Sequence, residues 1–215
     1  MRKLGIVVAA LACLMLAAVA FAADKPVAAK GQMDIGAFGG VAVPMGKLAD
    51  KTTDLDSPTG ADMKMGYDGG VFFDYFMTPD IALGVDGSYV TMTNNVSSDV
   101  KANTMQYGIH GKYVFATSGQ MVPYVQVGAA MYSRKIEDKA SGASLSLSDS
   151  KPGINGGLGI GFKLNESVTL GVNGTYHYTI GKFQPTAETK AADTGLKDWN
   201  FATINAVVTF NIPKK

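Results

Sequence analysis

The chain has 215 residues, enough for one domain of moderate size and a tight fit for two. Its 19 Lys and Arg nearly cancel its 18 Asp and Glu, which excludes both the basic surface that nucleic acid requires and an acidic partner-binding tail. Glycine is abundant at 26 residues with no Gly-X-Y repeat or Ser/Gln-rich tract, so the glycines belong to folded structure.

The chain starts with Arg2 and Lys3, an apolar run and an Ala20-Phe21-Ala22 triplet, which reads as a secretory signal over 1–22 cleaved before Ala23. Residues 23–215 are then the mature domain. An uncleaved anchor is the rival, since Leu4 to Ala23 is about long enough to span a bilayer, but Ala-x-Ala followed by polar residues favours cleavage. With Cys13 removed no cysteine remains, which excludes disulfides, thiolate zinc sites and cysteine nucleophiles. No second run of apolar residues is long enough for a membrane helix.

Eight segments then alternate with period two. In 31–43, Met33, Ile35, Ala37, Val41 and Val43 oppose Gln32, Asp34, Gly36 and Gly40, with Phe38 as an exception. In 63–76, Met63, Met65, Tyr67, Val71, Phe73 and Tyr75 oppose Lys64, Gly66, Asp68, Gly70 and Asp74. In 81–92, Ile81, Leu83, Val85 and Tyr89 oppose Ala82, Gly84, Asp86 and Ser88. In 104–115, Met105, Tyr107, Ile109, Tyr113 and Phe115 oppose Thr104, Gln106, Gly108, His110 and Lys112. Segments 122–134, 153–164, 168–180 and 201–212 repeat the pattern, placing Arg134, Lys163 and His177 on the polar side. Each segment is about the length a tilted strand needs to cross a bilayer.

The links between segments run long, short, long, short, long, short, long: 44–62, 77–80, 93–103, 116–121, 135–152, 165–167 and 181–200. In an up-and-down meander this puts every long loop at one end, with the tight turns and both termini at the other.

A soluble sandwich also alternates, but its wet face is rich in Lys, Glu, Gln and Arg and poor in glycine. Here the polar face is dominated by Gly, Thr, Ser and Asn, as suits the crowded inside of a small closed barrel. Tyr67, Tyr75, Tyr89, Tyr107, Tyr113, Phe115, Phe162, Tyr178 and Phe210 fall near segment ends on the apolar face, as aromatic girdles do. The expectation is an all-β, eight-stranded antiparallel up-and-down transmembrane β-barrel. Its lumen would hold a network of Asp34, Asp68, Asp74 and Asp86 against Lys64, Lys112, Arg134 and Lys163, with the two signs neutralising one another.

The phrases GAFGGVAVP, GYDGGVFFDYFMTPDIALGVDGSY, VPYVQVGAAMY, GGLGIGFKLNESVTLGVNGTYHY and ATINAVVTFNI, with the leader and the loop alternation, resemble the small Gram-negative outer-membrane β-barrels of the OmpA-like and opacity-protein group. That resemblance covers essentially the whole mature chain. It implies location in the bacterial outer membrane, loops facing outside the cell and termini facing the periplasm. The implied partners are outer-membrane lipid, lipopolysaccharide and the barrel insertion machinery, with the extracellular ligand unknown. Such chains end on an aromatic residue, whereas here Phe210 is followed by Asn211 to Lys215, which makes Phe210 the residue for the machinery to read. No peptidoglycan-binding module is expected.

Chemistry-bearing groups have plain alternatives. His110 and His177, with Ser88, Thr175 or Asp86, sketch a hydrolytic triad, but a polar lumen needs such groups anyway. Asp50, Asp54, Asp56 and Asp62 lack EF-hand spacing and read as a solvated acidic loop. GGLGIGF does not make a nucleotide fingerprint, and Lys182, Lys190 and Lys197 suit lipopolysaccharide phosphates or plain loop solubility. No cofactor is expected. The leading function is a non-enzymatic surface barrel for envelope integrity, adhesion or surface contact. A narrow channel and a lipid A hydrolase are the alternatives.

Overall fold

A computed structural model of the chain describes residues 28–50, 61–95, 97–115, 120–138, 145–181 and 199–212. The leader expected over 1–22 lies outside the described residues. Eight strands follow in order: β1 (Met33–Met45), β2 (Gly66–Phe76), β3 (Ile81–Thr93), β4 (Val100–Val114), β5 (Met121–Asp138), β6 (Leu145–Lys163), β7 (Val168–Thr179) and β8 (Asn200–Ile212). Each pairs antiparallel with its neighbours in sequence, and β1 pairs with β8 from Met33↔Ile212 to Met45↔Asn200. Closure leaves no strand edge through the body of the sheet, the condition for a sheet to sit in lipid.

The alternation fixes which side faces out. Tyr67, Val71, Val127 and Ile109 are more than half exposed, while Asp74 and Arg134 are fully buried inside. Tyr67 and Tyr75 close the two ends of the outer face of β2, eight residues or about 26 Å apart along the strand before tilt. Three outward tyrosines sit directly opposite outward glycines on the next strand, in the pairs Tyr89↔Gly69, Tyr107↔Gly87 and Tyr176↔Gly156. The ring covers the bare backbone beside it, which offsets glycine's weak strand preference.

The inside is filled in three tiers. At the loop end Leu48, Met63, Val90, Met92, Tyr132, Trp199 and Phe201 form an apolar plug. At the turn end Phe76, Ala82 and Val114 form a smaller one, against which Tyr124 packs. Polar side chains occupy the space between. The inward glycines are what let large rings fit, because a Cβ at Gly36 would collide with Phe72, at Gly159 with Tyr124 and at Gly70 with Phe38. Phe38, an exception to the sequence pattern, is thus one of several aromatic rings that fill the lumen.

Two expectations need correction. The link expected over 135–152 is mostly strand, because β5 and β6 keep pairing beyond the barrel wall as far as Asp138↔Leu145. The alternating Ser-Leu-Ser-Leu-Ser of 144–148 supports a two-sided strand as well as a loop. At the start of the second segment the alternation breaks. Met63 is buried in the loop-end plug and bridges Asn94, and Lys64 and Met65 are both exposed before β2 begins at Gly66.

A closed hydrogen-bonded cylinder resists detergent until heated. The refolded protein is expected to migrate differently on a gel before and after boiling, and unchanged migration would contradict closure.

Candidate functional site

The lumen's middle tier is built from side chains that meet across glycines. Asp74 on β2, Gly84 on β3 and His110 on β4 share one row of the sheet. A Cβ at Gly84 would fall on Asp74 Oδ1 and His110 Nε2, so its absence lets the two side chains join. His110 Nε2 lies 2.7 Å from Asp74 Oδ1, and His110 Nδ1 lies 2.8 Å from Asp86 Oδ1. Carboxylates only accept, so this geometry holds a proton on each side of the ring. Gln106 Nε2 donates to Asp86 Oδ2 at 2.5 Å, and Ser88 Oγ donates to Gln106 Oε1 at 3.0 Å. On the other side Lys112 donates to Asp74 Oδ2 and lies over the rings of Phe72 and Tyr124, at 4.7 and 5.1 Å from their centroids.

A second charged pair sits at the loop end. Arg134 and Asp149 are register partners on β5 and β6 and form a bidentate pair, Nε–Oδ1 at 2.7 Å and Nη2–Oδ2 at 2.5 Å. The guanidinium lies 5.5 Å from the Trp199 ring, whose Nε1 donates to Thr104 Oγ1 at 2.9 Å. Nearby His177 stacks on Phe201 with centroids 4.5 Å apart, and its Nδ1 is 3.1 Å from the Tyr132 hydroxyl.

The eight charges expected in the lumen therefore divide. Lys112 meets Asp74 directly, and Asp86 joins them through His110, which forms no charge pair in the sequence reading. Arg134 pairs with Asp149, a residue hidden in the run taken for a loop. Asp34 accepts from Gln32 Nε2 at 2.8 Å and shares a turn-end cavity of about 60 Å3 with Lys112 and Lys163. Asp68 takes a hydrogen bond from Asn205 Nδ2 at 2.9 Å, with no lysine or arginine against it among the described residues. Lys64 is outside the lumen, because the chain crosses the barrel rim there instead of following the strand's alternation.

The sketched triad does not assemble. Both nitrogens of His110 face carboxylates, and Ser88 bonds Gln106. His177 has the Tyr132 hydroxyl on one side and Thr203 Oγ1 at 3.5 Å on the other. Of the acidic loop, Asp50 pairs with Lys47 at 3.3 Å and Asp62 accepts from Asn95 at 2.9 Å; Asp54 and Asp56 lie outside the described residues, as do Lys182, Lys190 and Lys197. Among the described residues no three His, Cys, Asp or Glu side chains are grouped to hold a metal ion.

The family model described as outer membrane protein beta-barrel domain matches residues 7–210. The chain belongs to that family. Its place is accordingly the bacterial outer membrane, and the apolar outer face is the face in lipid. This outer-membrane barrel is similar in fold to Neisserial surface protein A, with a TM-score of 0.58 and 17% identity over 84% of this chain and 98% of that one. It is also similar to OprG from Pseudomonas aeruginosa, with a TM-score of 0.53 and 16% identity over 89% of this chain and 100% of that one. The N-terminal barrel domain of Pseudomonas aeruginosa OprF gives 0.51 and 19% over 85% and 98%. Comparison with curated proteins returns no match.

Proposed function

We propose that this protein is a non-enzymatic surface barrel, an anchor that presents its loop end outside the cell for envelope integrity, adhesion or surface contact. The filled lumen carries this reading. Two interior cavities of about 40 and 60 Å3 are divided by Phe72, Lys112 and Tyr124, and apolar clusters close off both ends. Spaces of that size hold a few waters and give no continuous path. The extended β5–β6 hairpin raises chain beyond the wall on the loop side, where a contact surface is needed. Neisserial surface protein A, similar in fold, is by its name a surface protein.

In this reading the outer face and its tyrosine girdles contact lipid and lipopolysaccharide. Phe210, 53% exposed near the end of β8, is the aromatic offered to the insertion machinery. The refolded protein is expected to show no steady conductance in a planar bilayer, and lipid A incubated with it is expected to keep its acyl chains by mass spectrometry. Steady conductance would turn the reading to a narrow channel. Acyl loss that disappears in His110→Ala or His177→Ala would turn it to a hydrolase.

A further inference from the structure

The hairpin of β5 and β6 outlasts the strand on its other side. β5 stays paired to β6 as far as Asp138↔Leu145, whereas β7 pairs with β6 only from Gly153↔Thr179 toward the turn end, with one further bond from the Ile180 N–H to the Pro152 carbonyl. Gly181, at φ +102°, then takes the chain out of strand conformation. From Leu145 to Lys151 the β7 side of β6 faces no other strand among the described residues.

Register decides which atoms stand on that open edge. Along an antiparallel strand successive residues bond alternately to one neighbour and to the other. Pro152 bonds Ile180 on the β7 side, and the Lys163 N–H donates to the Gln120 carbonyl on the β5 side. The register is unbroken between them, so odd residues of β6 bond β5 and even ones turn toward β7. The N–H and C=O groups of Ser146, Ser148 and Ser150 therefore point off the open edge. Ser148 and Ser150 are exposed, and their short side chains leave room for a neighbouring strand. Between them Asp149 gives both carboxylate oxygens to Arg134. Lys151, half-buried on the same face, has no carboxylate within ion-pair distance among the described residues.

We propose that the β6 edge from Leu145 to Lys151 binds an extended segment of another protein by antiparallel strand addition, with an acidic side chain of that segment on the face that carries Lys151. The inference rests on the surface-contact reading above, in which this end of the barrel lies outside the cell. The incoming backbone continues the ladder where β7 leaves it, and main-chain hydrogen bonds supply the affinity. Arg134, Asp149 and Lys151 together carry a net positive charge, which favours an acid over a base on the added strand. A second upright copy in the same membrane runs its β6 the same way and offers only the weaker parallel pairing.

The test follows amide exchange by NMR in the full-length refolded barrel, with an end-capped peptide of alternating threonine and valine and one central glutamate as the probe. In the free barrel the amides of Ser148 and Ser150 are expected to exchange freely, while those of Asp149 and Lys151, bonded to β5, are protected. The peptide at ten times its dissociation constant should slow Ser148 and Ser150 about elevenfold. The same peptide methylated on all its backbone nitrogens, or with lysine in place of glutamate, should protect them less. Ser148→Pro removes a donor that β5 does not use, so it should abolish binding while keeping the heat-dependent gel shift. Slow Ser148 and Ser150 amides in the free barrel, from cover by this chain's own residues or by a second copy, would overturn the proposal. Absence of protection by the parent peptide, or equal protection by the methylated or lysine peptide, would overturn it too. Should Ser148→Pro fail to refold, the methylated peptide carries the test. None of these readouts depends on conductance or on lipid A, so an edge that binds nothing leaves the surface-barrel reading standing, and a conducting lumen leaves the edge result standing.

Discussion

Asp74→Ala is expected to destabilise the folded barrel by about 3–5 kcal/mol, the cost of breaking a buried ion pair by removing one partner. Asp74 is fully buried and meets two basic groups, Lys112 and His110. Its loss strands Lys112 among Phe72 and Tyr124 and leaves His110 Nε2 facing an empty site. Salt should change the effect little, because the group is inside the wall and poorly screened. Unfolding of vesicle-refolded protein in urea, read by the fluorescence of Trp199, the chain's only tryptophan, gives the value. A loss under about 1 kcal/mol would mean that Asp74 is not the hub of the tier. The double variant Asp74→Asn/Lys112→Met should lose less than the two single losses added together, since each single change already strands the charge that the other removes.

This cluster also shows how far the sequence carries. Strand alternation settles which way Asp74, Asp86, His110 and Lys112 point, because a period of two allows only two answers and one of them puts charges in lipid. It does not settle who meets whom, since that depends on register and on which intervening residue lacks a side chain. Gly84 and Gly40 are the deciding positions, and in the sequence they look like any other glycine on the polar face. His110 escapes the charge count because an imidazole is neutral by default, and the two carboxylates that flank it come into view only with the register of β2, β3 and β4. Lys64 was misplaced for a different reason: parity holds only while the chain stays in the sheet, and Met63 to Met65 run over the rim. Asp149 was missed because serines and charges on both faces describe a strand in water as well as they describe a loop.

Val127→Arg is expected to cost about 2–4 kcal/mol, and it tests which solvent the outer face meets. Val127 is 69% exposed on β5, and its neighbours in register, Gly111 and Gly156, leave it standing clear of the wall. On a water-facing sheet an arginine at so open a position would change stability by no more than about 0.5 kcal/mol. In lipid the same guanidinium is held near the bilayer midplane, because on the adjoining β4 Tyr107 and Tyr113 bracket Gly111 from both ends. The glycines flanking Val127 also leave the arginine stem no apolar side chain directly beside it in register. Ser133→Arg, on the same face of β5 but beyond Met131 toward the loop end, should cost only about 0–1 kcal/mol, the value for a site near the interface. Equal costs at the two positions would show that the burial of Val127 in hydrocarbon is wrong, whereas a graded loss fixes both the depth of the barrel and the side of it that is wet.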